Sequence, residues 1–284
     1  MRRMMKTRGI LRPKAGFEHF ALDRADPPAD LVGIVSGLWS VRWDLAEGET
    51  FEQEILPFPN VNLAFEDGGL NVHGPTRARF LAKLSGCGWV AGVRFRPAGF
   101  YAVSVRPMRE VAERVWSAAD ATGCPAPAFP TDPSVAFVAL CEFVQNCREA
   151  RAAAGLPPVD VAELSQISTL VEQAESDRNI ASAGDLARLA GMSVRSLHRV
   201  LQRFVGVSCK WIVRRARIQQ CAELVAGGER VDWTRTALEL GYHDQAHLIR
   251  DFKQQIGHTP TAYRAQCAQA GPTVVVETDE STLL

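Results

Sequence analysis

The chain has no run of 18 or more apolar residues, so no membrane-spanning helix is expected among its 284 residues. Cys-x-x-Cys pairs are missing, and seven cysteines is an odd number, which argues against a disulfide framework or a structural zinc. Reduced thiols in a cytoplasmic protein fit that usage better. Neither a glycine-rich phosphate loop nor a nucleophile elbow occurs. Residues 1–178 hold only His19 and His73, too few for a histidine-rich metal site. Glu52 and Glu54 share one strand face, read as exposed and acidic, and Cys87 between glycines reads as a buried small hydrophobe rather than a reactive thiol. No catalytic residue, metal or cofactor is therefore expected, and the chain is read as a non-enzyme. Residues 1–15 carry Arg2, Arg3, Lys6, Arg8, Arg12 and Lys14 without a long apolar run, the pattern of a disordered basic arm rather than a secretory signal.

Net charge is also lacking: 32 Lys and Arg balance 32 Asp and Glu. The balance hides a segregation by segment. Residues 179–265 hold 13 basic against 7 acidic residues, a net of +6, while the segments before and after carry −3 each. A basic module attached to something else suits a polyanion. The first segment is β-rich. Val61, Leu63 and Phe65 alternate with Asn60, Asn62 and Ala64, and Trp89, Ala91, Val93 and Phe95 alternate with smaller or polar residues. A further strand is expected from Leu38 to Trp43, with turns at Glu66-Asp67-Gly68-Gly69 and His73-Gly74-Pro75. Several short strands with regular turns point to a barrel or a sandwich. The pattern turns helical from Met108, with a Pro-rich loop at Cys124 to Pro133 and helices over 134–150 and 160–176. The divisions expected are an arm at 1–15, a β-rich domain at 16–125, a helical connector at 126–178, a helical domain at 179–265 and a disordered tail at 266–284.

The helical domain carries the clearest signal. From Ala183 to Gly206 the pattern is helix, tight turn, helix, with Leu186, Leu189 and Ala190 as the buried face of the first helix. Ser193 suits an N-cap. In the second helix Leu197, Val200, Leu201 and Phe204 form one apolar stripe, with Arg195, His198, Arg199 and Gln202 on the other side. The design recurs. Ala187 and Gly191 correspond to Ala237 and Gly241; after one inserted residue, Leu197, Arg199, Gly206 and Ser208 correspond to Leu248, Arg250, Gly257 and Thr259. Between the copies, Ser208 to Ala226 reads as one helix ended by Gly227-Gly228. About 19 residues at ~1.5 Å each make it roughly 28 Å long. Successive major-groove faces of B-DNA lie about 34 Å apart, so this helix can space two readers.

The stretches Leu186-Ala187…Gly191-Met192-Ser193-Val194-Arg195-Ser196-Leu197-His198-Arg199 and Gly206-Val207-Ser208 resemble the AraC/XylS family of bacterial transcription regulators. So does the run from Ala237 to Lys253, followed by Gly257-His258-Thr259-Pro260 and Tyr263-Arg264. Three departures stand out: Ile249 occupies a place usually held by Ser or Thr, and Leu201 and Leu248 replace frequent Phe. Leu56 through Phe65, with Gly92 to Pro97, resembles a poorly characterised sensor-like domain of some such regulators.

The resemblance implies an α+β chain: an N-terminal cupin-like barrel with helices and a C-terminal all-α domain of two helix-turn-helix units on a long helix. It implies double-stranded DNA as partner, with RNA polymerase as a further partner of an activator, and no membrane. For the N-terminal domain it implies a small-molecule effector or homodimerisation, neither favoured over the other. Base contacts are expected from Arg195, His198 and Arg199 in one groove and Gln245, His247, Ile249 and Arg250 in the next. Ser193, Ser208, Lys210 and Thr259 are expected at phosphates. Trp211 is expected in the core, with Arg214, Arg215 and Arg217 divided between solvent and internal pairing. A barrel enzyme whose helices serve another purpose is the competing reading, and the missing catalytic constellation counts against it.

Overall fold

The computed structural model describes residues 16–269 except 57, 78, 131 and 228–230. The expected basic arm, Gly228 and the chain from 270 onward lie outside the described residues.

The fold class is α+β. Eight strands come first: β1 (Ala21–Ala25), β2 (Val35–Asp44), β3 (Thr50–Ile55), β4 (Asn62–Glu66), β5 (Gly69–His73), β6 (Phe80–Ser85), β7 (Cys87–Phe95) and β8 (Val115–Ser117). The alternating residues of β4 and β7 lie where their period demands, with Leu63, Phe65, Ala91, Val93 and Phe95 all buried. Asp67 and Gly68 both take positive φ, 49° and 74°, which makes the two-residue β4–β5 hairpin twist with its strands.

All pairings are antiparallel. Six strands form one sheet in the order β1-β2-β7-β4-β5-β8, and β3 and β6 form a separate ribbon. The expected cupin-like barrel is thus corrected to an open sheet with a ribbon, for no pairing among the described residues joins its edges β1 and β8. The reason is what covers the sheet. The helix α3 (Pro133–Ala153, the third after α1, Met108–Val111, and α2, Ala118–Thr122) packs on β7. Its Ala136, Leu140, Phe143, Val144 and Cys147 bury the apolar face that strand closure would otherwise have to cover.

Seven helices follow: α4 (Val161–Ser176), α5 (Ala183–Leu189), α6 (Val194–Phe204), α7 (Cys209–Ala226), α8 (Trp233–Glu239), α9 (Gln245–Ile256) and α10 (Pro260–Gln269). One apolar core runs from Leu31 through the sheet, α3 and α4 into α5, α6 and the first turns of α7. A second core joins the rest of α7 to α8, α9 and α10, and includes Leu56 at the end of β3. Two arginines of the Gly92–Pro97 stretch sit on the seam between sheet and helices. Arg96 donates to both carboxylate oxygens of Glu172 on α4 (2.8 and 3.1 Å) and to the hydroxyls of Ser165 and Thr169. Arg94 is half-buried, and burial lowers its pKa against the opposing pull of Glu175 and Glu172.

Three sequence expectations change. Leu189 is 51% exposed, because α5 ends there and buries only Leu186 and Ala187. Glu54 is buried, under a contact from the far end of the chain described below. Cys87 is exposed, lying at the first residue of β7 where the sheet gives way to the Gly86 turn.

Candidate nucleic-acid interface

Each helix-turn-helix unit is built by the same local chemistry. Ser182 caps α5 by accepting from Asp185 N (3.0 Å), and Ser193 caps α6 by accepting from Ser196 N (3.1 Å). Asp232 caps α8 through the N–H groups of Thr234 and Arg235, and Asp244 caps α9 through His247 N (2.6 Å). The turns close alike, Met192 N donating to Ala187 O and Tyr242 N to Ala237 O. The same insertion that shifts the repeat by one residue lies in the second turn, before Asp244.

The buried stripe of α6 is Leu197, Leu201 and Phe204, with Val200 half-buried; Arg195, His198 and Arg199 are exposed on the opposite side. The side chains of these three make no hydrogen bond or ion pair with another described residue. On α9, Leu248, Phe252 and Ile256 face inward. Gln245, His247 and Arg250 are exposed, and Ile249 is half-buried. The His247 ring stands edge-on to Tyr242 at 5.1 Å, and Arg250 reaches back only to the carbonyl of Ala246 on its own helix (3.3 Å). Ile249 lines a shallow, largely apolar groove with Leu238 and Ala246, edged by Thr234, Asp244 and Gln245.

The residues expected at phosphates divide. Lys210 is exposed near the start of α7 and has no partner among the described residues. Ser193, Ser208 and Thr259 each serve first as a cap or turn acceptor, Ser208 for Trp211 N (3.1 Å) and Thr259 for Ala262 N (3.2 Å). Trp211 packs, partly buried, against the first core.

The arginines of α7 turn inward. Arg215 is fully buried, donates to Glu175 at 2.6 Å and stacks 3.9 Å over the Phe58 ring. Arg217 lies over Tyr242, and Arg214 donates to Asp251 at 2.6 Å. Asp251 is the buried carboxylate that answers Arg214 from α9. It is 4% exposed and also accepts from the Tyr242 hydroxyl (2.6 Å) and Gln255 (3.2 Å). A carboxylate between Leu248 and Phe252, at the place where the first unit has Val200, was the signal that could have found it. Burial and the neighbouring Asp251 charge raise the Tyr242 pKa, while the hydrogen bond that Arg214 donates to Asp251 raises that of Arg214.

Residues 186–266 match the helix-turn-helix domain family, and residues 23–117 match a domain family of unknown function. An uncharacterised HTH-type transcriptional regulator of Haemophilus influenzae is 30% identical over 95 residues, which are 34% of this chain. The match covers 30% of that relative's own length. An AraC-type DNA-binding domain regulator from Chromobacterium violaceum is 21% identical over 39% of this chain and all of that one, with a TM-score of 0.34. ToxT from Vibrio cholerae is 14% identical, covering 81% of this chain and 97% of its own, with a TM-score of 0.36. The class is that of helix-turn-helix proteins. Residues 186–266 form the chain's helix-turn-helix domain, and residues 23–117 belong to a domain of unknown function.

Proposed function

We propose that this protein is a sequence-specific DNA-binding transcription regulator that reads two successive major-groove segments, one with α6 and one with α9. The observation that carries the reading is the repetition itself. Two helices with equivalent caps and turns each present outward donors, and the three side chains on α6 have no partner among the described residues. Arg199 and Arg250, equivalent in the two units, suit bidentate grips on guanine O6 and N7, and Gln245 suits adenine. Arg195, His198, His247 and Ile249 complete the two reading surfaces. Ser193, Ser208, Lys210 and Thr259 take phosphates; these contacts set register and give salt-dependent affinity. The N-terminal domain is the place for an effector or a second copy of the chain, and RNA polymerase is the partner if the outcome is activation. The reading assigns no catalytic step.

The test is retention of fragmented genomic DNA by the full chain at rising salt, with the bound fragments sequenced, beside an Arg199→Ala/Arg250→Ala variant. The expected result is a recurring two-element motif, elements about one helical turn apart, that the variant loses. At about 1–3 kcal/mol of discrimination for each bidentate pair, the variant should lose at least tenfold in affinity for the motif. Uniform, salt-labile retention, equal in both proteins, would mean that these residues do not read bases.

A further inference from the structure

Gly206 and Gly257 close the two reading helices at equivalent places in the repeat. Both are left-handed, with φ of 85° and 87°. What lies against them comes, in both cases, from the N-terminal half. At Gly206, a side chain would collide with the carbonyl of Met108 and meet Ala112 at 3.3 Å, while Tyr101 packs edge-on to Phe204 at 4.8 Å. At Gly257, a side chain would collide with the guanidinium of Arg79. Arg79 donates to the Ile256 carbonyl at the end of α9 (3.4 Å) and is paired with the buried Glu54. The other Glu54 oxygen lies 3.6 Å from His258 Nε2. Leu56, two residues on, is fully buried in the core of the second unit. The first reader is thus seated on α1 and the turn before it, and the second on the β3–β6 ribbon.

This matters because α7 is otherwise the covalent strut between the readers. A helix of 18 residues is about 27 Å long and sets a distance, and each reader is packed on it through the core of its own unit. A seat at the C-terminal end of each reader adds a second, independent hold on its phase. Resting on the regulator reading, we infer that Arg79 and Glu54 are positioning residues. They hold α9 in fixed phase with α6, so that the N-terminal half decides which spacing of DNA elements is accepted. Pre-ordering of this kind also lowers the entropy lost on binding.

The experiment uses the full chain, its own selected DNA site, and versions of that site with one or two base pairs inserted between the elements. One inserted pair shifts the second element by about 3.4 Å and roughly a tenth of a turn. Wild type should lose about tenfold or more, the factor equal to ~1.4 kcal/mol, on the first insertion. Arg79→Ala should bind the original site several-fold more weakly and lose much less on insertion. Arg79→Lys and Glu54→Gln should fall between. Circular dichroism is the check that each variant is folded; Arg79, with a side chain 40% exposed, is the safer truncation. A second readout needs no DNA: spin labels on non-canonical residues at positions 203 and 253 should give one narrow distance in wild type and a broad one in Arg79→Ala. Unchanged spacing preference in Arg79→Ala, or an unchanged distance distribution, overturns the inference while leaving the regulator reading intact. A wild type that selects no two-element site sinks that reading, and this inference with it.

Discussion

Asp251 and the arginines show how one side chain decides what its neighbours can do. Of the basic residues in the C-terminal domain, the three arginines of α7 are engaged internally, while Lys210, Arg195 and Arg199 have no side-chain partner among the described residues. The charge that counts toward DNA is therefore smaller than composition implies. Asp251 is the residue that keeps Arg214 and Tyr242 in place beneath α9. Its removal leaves a buried hydroxyl without an acceptor and an arginine without its pair, and Arg214 can recover part of the loss because its side chain is 41% exposed. Asp251→Ala should cost about 1–3 kcal/mol in urea unfolding, whereas Val200→Ala at the equivalent place removes only apolar contact. Equal losses in the two variants would show that Asp251 is ordinary packing. Such a carboxylate is legible in principle, since a charge at an inward position of a helix has to be answered. Its partners were not, because Arg214 is 37 residues away.

The caps and the strands make the next level. Asp244 holds its carboxyl below the ordinary value of 3.8, chiefly by accepting from the His247 N–H and then from His243. A carboxyl with a depressed folded-state pKa adds stability above its unfolded pKa and loses it as pH falls through the depressed value. Asp244→Asn should therefore remove part of the acid-side loss of stability below about pH 4 while leaving the neutral fold. Thermal scans of both proteins across that range measure it, and parallel curves would exclude the cap as a contributor. Helix-turn-helix units were readable because everything that makes them is local: a capping oxygen three residues from its amide, a glycine turn, an apolar stripe. Barrel closure was not readable. The alternation in β4 and β7 says that one face is buried, but not whether a strand or a helix buries it, and here α3 does. Leu189 went wrong for the same reason. Periodicity assigned it to the face of Leu186, but the helix ends at Leu189 and the packing that buries Leu186 does not reach that far.

The molecule as a whole is joined by charged seams as well as by its cores. Arg215, buried between Glu175 and the Phe58 ring, ties α7 to α4 and to the sheet domain. Breaking a buried pair from one side leaves the other charge stranded. Arg215→Met should accordingly cost about 3 kcal/mol or more, and Arg215→Met with Glu175→Leu should recover much of it. A urea series on the single and double variants gives the coupling directly, and strict additivity would show that the two do not act as a pair. The repeat, its caps, its outward donors and the alternation of its strands follow from residues close together along the chain, where backbone geometry turns spacing directly into a face. The tertiary structure decided the rest: the open sheet, the burial of Glu54, and the seats under Gly206 and Gly257. Those depend on contacts such as Arg79 to Ile256, 177 residues apart, whose pairing no local period specifies.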